Sequence, residues 1–211
     1  MKIRSSLNIR PLLILSGLFI AAILSANTLA SKLFDVGGYV MTAGIIAFPI
    51  TFLITDIVNE LWGRKVAQNL VIAGFVANIL MVGLYQLGVW LSPAGFWEGQ
   101  EAFSLILGAV PRIVFSSMVA YLISQTWDVW VFDYIKRNVK VGLWFRNNIS
   151  TITSQIIDSA IFLTLAFYGV MPMSSLITMF ITYVIAKFII ALLDTPFVYF
   201  GVSIIRGKKH E

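Results

Sequence analysis

Six apolar runs, at residues 12–33, 39–61, 66–91, 103–126, 149–168 and 176–204, each reach the length at which a helix can cross a bilayer. That length is about 20 residues, because a helix rises about 1.5 Å per residue through a hydrocarbon layer about 30 Å thick. Inside such a layer no water is at hand for backbone N–H and C=O groups, so a spanning segment must pair them within itself. The expected fold class is therefore all-α, a polytopic membrane bundle of six transmembrane helices. Composition agrees: 12% of the residues are charged, against about 25% in a soluble domain. A water-facing surface cannot be assembled from so few.

The net charge of +5 does not point to nucleic acid, which needs basic residues gathered on one exposed face; here they lie between the apolar runs. With a cytoplasmic N-terminus, Lys2, Arg4, Arg10, Arg64, Lys65, Lys136, Arg137, Lys140, Arg146, Arg206, Lys208 and Lys209 fall inside, and Lys32 falls outside. Arg112 and Lys187 lie within spans. This asymmetry sets both termini in the cytoplasm. Trp62, Trp90, Trp97, Trp127, Trp130 and Trp144 all fall at span ends or in adjoining loops, where the amphipathic indole is favoured. The first apolar run is too long for a secretory signal and ends in no small-residue cleavage pattern, so it is expected to be retained. No cysteine is present, which removes disulfides and thiolate chemistry.

The loops are short, so one transmembrane domain, residues 1–211, is expected. The longest connection is read as cytoplasmic, over residues 127–147, and an outer loop at 92–99 is either a lid or a turn. Two smaller features stand out. Ser124-Gln125-x-x-Asp128-x-x-x-Phe132 recurs as Ser154-Gln155-x-x-Asp158-x-x-x-Phe162, by chance, convergence or duplication. Ala22, Ala26 and Ala30 form a stripe of small residues that admits a close helix neighbour, within the chain or on a partner.

The polar residues inside the spans carry the functional reading. An ionisable group near the bilayer centre costs from about 2.5 kcal/mol upward and usually faces a bundle interior or a wet cavity. Asp56 and Glu60 stand four apart on one helix face, beside Thr55 and Asn59. Asn148, Thr151, Gln155 and Asp158 step by 3, 4 and 3 into one polar stripe. Lys187 lies near the middle of the last span, with Tyr183 and Asp194 on a similar face, and a Lys187–Asp158 pair would relieve two buried charges at once. Asn27 near the outer end of the first span, and Arg112, Gln125 and Asp128 in the fourth, complete the set. Isolated hydroxyls such as Ser116, Ser117, Ser150 and Thr153 are expected to bond their own helix backbone.

No HExxH helix, His/Cys/Asp metal cluster or Ser–His pairing is present in the sequence, so an enzyme is disfavoured. Neither a resident metal nor a cofactor is expected. A channel would show repeated pore-lining rings or a carbonyl filter. A carrier combines a few convergent polar groups with apolar and aromatic walls, for which Phe48, Phe52, Phe115, Phe162, Tyr183 and Phe188 are candidates.

Five segments in order resemble the queuosine precursor transporter family, also described as vitamin-uptake-like membrane proteins. They are Ser25-Ala-Asn27-x-x-Ala30-x-Lys32; Phe48-Pro49-Ile50-x(5)-Asp56-Ile57-x-x-Glu60-x-x-Gly63; Arg112-x(3)-Ser116-Ser117-x(7)-Gln125-x-x-Asp128; Trp144-x-Arg146-Asn147-Asn148-x-Ser150-Thr151-x-x-Ser154-Gln155-x-x-Asp158; and Lys187-x(6)-Asp194-Thr195-Pro196. The resemblance implies uptake of 7-cyano-7-deazaguanine, and of 7-aminomethyl-7-deazaguanine, across a bacterial cytoplasmic membrane. It implies a substrate site drawn from Asn27, Asp56, Glu60, Arg112, Gln125, Asn148, Gln155, Asp158, Lys187 and Asp194. On this reading Asp158 or Glu60 accepts guanine-like N–H groups, Asn148 and Gln155 complete the edge, and Arg112 or Lys187 balances a carboxylate. Expected partners are the small-molecule cargo and the lipid bilayer, with a homo-oligomer or a coupling-factor complex open. The chain holds no GxxxxGK[ST] loop, so a secondary carrier and a substrate-binding subunit of an energy-coupling-factor importer, which has a similar fold, both stay open.

Overall fold

The computed structural model describes residues 9–139 and 143–207, and of these the side chains other than 143–147, 191–195 and 206–207. Six long helices follow one another: α1 (Ile9–Leu29), α2 (Phe48–Trp62), α3 (Arg64–Trp90), α4 (Gln100–Asn138), α5 (Leu143–Phe167) and α6 (Met173–Gly207). Counting the 3₁₀ turn ahead of α2, six segments are long and apolar enough to cross a membrane. The protein is a multi-pass membrane protein, as its apolar runs require.

Two span boundaries differ from the expected ones. Between α1 and α2 the chain forms a hairpin of β1 (Leu33–Val36) and β2 (Tyr39–Thr42), turning at Gly37 and Gly38 and followed by a 3₁₀ turn at Ala43–Ile46. The apolar run at 39–61 therefore splits, and α2 opens at Phe48 with Pro49 in its first turn, where a missing N–H has no helical partner to lose. The second difference is α4. Its 39 residues extend about 58 Å at 1.5 Å per residue, longer than the roughly 40–45 Å of a whole bilayer. The expected loop at 127–147 is thus helical through Asn138, because no glycine or proline interrupts that stretch.

The chain divides into two compact units. The first holds residues 1–33, 42–110 and 189–211. In it α1 and α3 run parallel, with Phe19 against Gly74 and Asn27 against Asn78, and α3 and α4 run antiparallel, with Gln86 reaching Leu107 and Gln100 reaching Val89. Phe19, Ile54, Val58 and Leu70 form one buried cluster, and Ile57, Leu61 and Val202 another. Lipid tails are as apolar as these side chains, so contact quality rather than hydrophobicity holds such clusters together.

The alanine stripe is used inside this unit. Ala22, Ala26 and Ala30 are buried, and a Cβ on Gly44 would stand 2.5 Å from the carbonyl oxygen of Ala26 and 3.2 Å from the Ala30 methyl. Only a residue without a side chain lets the 3₁₀ turn lie this close. At Gly63 a φ of 90° ends α2 and lets α3 begin one residue later, a conformation that glycine adopts without a Cβ penalty.

The second unit holds residues 34–41 and 111–188. Its α4 segment packs antiparallel to α5: Arg112 meets Leu165 and Tyr168, Ser124 meets Asp158, and Trp127 meets Thr153. α5 in turn lies antiparallel to α6, through Asp158 with Lys187 and Phe162 with Tyr183.

Two measurements follow. The chain has no native cysteine, so single cysteines report sidedness. A cysteine at Gly95 is expected to react with a membrane-impermeant maleimide in intact cells, and one at Val139 only after permeabilisation; the opposite pattern would reverse the topology. Gly44→Ala forces its Cβ onto a backbone oxygen and is expected to cost about 1–3 kcal/mol, seen as a lower melting temperature in detergent.

Candidate functional site

The second unit brings together the two charges that the sequence places near mid-span. Lys187 Nζ lies 2.6 Å from Asp158 Oδ2, with the lysine side chain 13% and the carboxylate 24% exposed. Either charge alone in hydrocarbon would be costly; paired, they form a neutral unit. The expected pair is therefore present, and Lys187 is the cation that balances Asp158.

Ser124 approaches the other oxygen. Its Oγ is 3.3 Å from Asp158 Oδ1 and 3.1 Å from the carbonyl oxygen of Tyr121. A hydroxyl has one hydrogen to donate, so it serves one acceptor at a time. Asp158 Oδ1 thus retains capacity for another donor. Beside the pair, buried Tyr183 faces buried Phe162 with ring centroids 6.4 Å apart, two of the expected aromatic walls. Phe115 and Phe188 are exposed instead.

Along α5, Asn148, Gln155 and Asp158 are partly buried and Thr151 is exposed, so the expected stripe borders the covered face of the helix. Gln125 is exposed, although its neighbour Ser124 is buried. Arg112 has a different setting from a carboxylate partner. Its Nε donates to the Leu165 carbonyl at 2.8 Å and Nη2 to that of Tyr168 at 2.7 Å. The last carbonyls of a helix lack intrahelical donors and carry the negative end of its dipole. A guanidinium fork satisfies both, so Arg112 closes the C-terminal end of α5.

The hydroxyls mostly bond their own helices, as expected. Ser116 donates to the Arg112 carbonyl, Thr153 to Ile149 or Ser150, and Ser159 to Gln155.

The first unit has its own buried polar pair. Asn27 Nδ2 donates to Asn78 Oδ1 at 2.7 Å, and Asn78 Nδ2 donates to the Gly74 carbonyl at 2.9 Å. Asn27 is 3% and Asn78 1% exposed, so this amide pair locks α1 against α3 in a setting without water. Asn78 was not singled out by the sequence; its only signal is a lone amide amid apolar residues of one span. Thr28 extends the seam, lying 3.4 Å from the Tyr85 hydroxyl. Asp56, Asn59 and Glu60 are exposed on α2, and Phe48 and Phe52 stack at 6.5 Å. The Asp194 side chain, like those of Arg146 and Asn147, lies outside the described residues.

The loop at 92–99 folds back over the ends of α3 and α4, with Trp97 edge-on to Phe103 at 5.9 Å. It borders an open hollow of about 370 Å³ lined by Leu91, Pro93, Phe96, Trp97 and Phe103, among others. That lining holds no ionisable group and offers little to a polar cargo. Among the described residues no cluster of His, Cys, Asp or Glu is arranged to hold a metal.

Comparison with known proteins supplies the family. Residues 42–201 match the family described as "Putative vitamin uptake transporter". The chain is 32% identical over 200 residues to the "Probable queuosine precursor transporter" of Bacillus subtilis, covering 92% of this chain and 87% of that one. It is 27% identical over 154 residues to the "Queuosine precursor transporter" of Escherichia coli, covering 73% and 67%. A Haemophilus influenzae protein named "Probable queuosine precursor transporter" is 27% identical over 128 residues, covering 60% and 52%. No solved structure matches the chain. With the family match spanning most of its length and a relative above 30% identity across nearly all of it, the chain belongs to the vitamin uptake transporter family of membrane proteins.

Proposed function

We propose that this protein is a secondary carrier that takes up queuosine precursors, 7-cyano-7-deazaguanine and 7-aminomethyl-7-deazaguanine, across a bacterial cytoplasmic membrane. The names of its relatives support the cargo class. The observation that carries the site reading is the Lys187–Asp158 pair at mid-span, with one carboxylate oxygen only loosely held by Ser124.

A 7-deazaguanine presents N–H donors and a carbonyl acceptor along one edge. In the proposed site Asp158 Oδ1 accepts from that N–H edge once Ser124 turns fully to the Tyr121 carbonyl. Lys187 stays on Oδ2, as in the observed pair. Gln155 and Asn148, whose amides both donate and accept, complete the edge, Gln125 adds a further amide, and the Phe162 and Tyr183 rings supply a flat apolar wall on which a base can stack. No cargo contact is assigned to Asn27, which bonds Asn78, or to Arg112, which bonds the carbonyls at the end of α5. The transport reading assigns no reaction to any of them.

The decisive experiment expresses the protein in cells that can neither make nor import the precursor, supplies 7-cyano-7-deazaguanine outside, and measures queuosine in tRNA. Restoration is expected, also in cells lacking any coupling-factor ATPase. Restoration confined to cells that contain such an ATPase would make the chain a subunit of an energy-coupling importer instead. Well-expressed protein that restores nothing would remove the cargo assignment.

A charge-removal series tests the site. Asp158→Asn and Lys187→Gln are each expected to lower uptake at least tenfold. The double variant Asp158→Asn/Lys187→Gln leaves no unpaired charge, and is expected to insert normally yet stay below about one-tenth of wild-type uptake. Recovery of uptake in the double variant would reduce the pair to a structural role.

A further inference from the structure

Pro111 lies inside α4, within the apolar run at 103–126. A proline has no N–H, so the rung it would form with the carbonyl four residues back is missing. That carbonyl belongs to Leu107. In hydrocarbon no water replaces the lost donor, and a neighbouring group has to supply one.

The donor comes from α3. Gln86 Nε2 lies 3.4 Å from the Leu107 oxygen, longer than the roughly 2.7–3.2 Å usual for such a bond. Gln86 thus replaces one rung of a helix to which it does not belong, and holds it loosely. Gly108 weakens the same turn. A Cβ there would meet nothing within 4 Å, so packing does not call for glycine, and glycine is a poorer helix former than alanine.

The partners of α4 change at this rung. Before Pro111, Gln86 and Gln100 tie the helix to α3, the second through the Val89 carbonyl at 3.1 Å. Directly after it, Arg112 ties the helix to the end of α5 at 2.8 and 2.7 Å, and Ser124 meets Asp158 farther along. The division of the chain into two compact units falls at the same place: the first ends its stretch of α4 at residue 110, and the second opens at 111. A proline that α4 merely tolerates has no reason to stand there, whereas a bending point does.

We propose that Pro111 is a hinge of α4, that Gln86 is its latch, and that bending at this rung is a step of the transport cycle. The inference rests on the carrier reading of the chain, but not on the identity of its cargo or on its energy source. Helices kink at the rung a proline leaves empty, and hinges are the few residues that absorb a change of backbone angle between packed parts. With the latch closed, as observed, the Leu107 carbonyl is held and α4 runs on as one helix. With the latch open, the part before Pro111 stays with α3 and the part after it stays with α5, while the angle between these two parts of α4 changes. Only one loose hydrogen bond has to be given up.

The test uses the full-length protein in liposomes. The chain has no cysteine, and Leu105 and Ile123 are both exposed, on one face of α4 about five turns and 27 Å apart. Spin labels on cysteines at these positions are expected to give a broad or double distance distribution with Pro111 in place. Pro111→Ala restores the N–H and is expected to give one narrow distance; identical distributions overturn the hinge. Should Pro111→Ala not insert, Gly108→Ala decides, since it adds a methyl group into open space and stiffens the same turn; an unchanged distribution there overturns the hinge as well.

The latch is tested by a double-mutant cycle. Gln86→Met keeps the length of the side chain and removes the donor. It is expected to lower the melting temperature by about 2–4 °C with Pro111 in place, and to leave it unchanged in Pro111→Ala, where the carbonyl has its own rung back. An equal drop in both backgrounds overturns the latch. In transport, the maximal rate of 7-cyano-7-deazaguanine uptake is expected to fall at least tenfold in Pro111→Ala while its equilibrium Kd stays within about threefold; an unchanged rate overturns the place of the hinge in the cycle. If the protein neither binds nor moves 7-cyano-7-deazaguanine, yet the distances and the cycle respond as expected, the cargo assignment fails while the hinge and its latch stand.

Discussion

A hydrocarbon solvent offers a polar group no partner, so each one placed within a span has to find its partner in the protein. This chain does so in four ways. Hydroxyls such as Ser116 and Ser159 bond back to their own helix; the amides of Asn27 and Asn78 bond across α1 and α3; Arg112 occupies the open carbonyls at the end of α5; and Lys187 pairs with Asp158. The last three also fix which residue lies beside which. Van der Waals contact between apolar helices tolerates sliding by a turn, whereas a buried amide or ion pair displaced by one turn loses its partner outright. Polar groups therefore set the register that the apolar ones then fill.

The same constraint decides what can be read from sequence. The six spans and the mid-span pair were legible because both are costs visible in one dimension: twenty apolar residues with no other solution, and two opposite charges that neither can bear alone. The last third of α4 was not legible. Trp127, Trp130, Lys136 and Arg137 read as interface and loop, since hydropathy reports where hydrocarbon ends and not where a helix ends. The hairpin at 33–42 was hidden for the converse reason, its residues being apolar enough to join the neighbouring spans. Asn78 carries no signal in one dimension because its meaning lies in Asn27, 51 residues away. The alanine stripe suits an internal or an external neighbour alike, and only Gly44 lying against it shows the internal one.

Asp128 belongs to a further class. Its residue type and position are plain in the sequence. What separates it from Asp158 is the partners: Lys187 and Ser124 reach Asp158, whereas Asp128 Oδ1 is buried without a hydrogen-bond partner. That is a property of three-dimensional bonding, and no sequence pattern reports it.

Charge balance links these features to the proposed cargo. The Lys187–Asp158 pair is neutral as a whole, so the centre of the second unit has no excess charge with which to attract an ion. On the proposed reading this suits an uncharged flat base, held by hydrogen bonds to the spare capacity of Asp158 Oδ1 and by the rings of Phe162 and Tyr183. The nitrile-bearing precursor meets that condition, whereas an aminomethyl group carries an ammonium that would compete with Lys187 for the same carboxylate. A neutral cargo also brings no charge for the membrane potential to act on, so accumulation against a gradient needs a second species that moves with it.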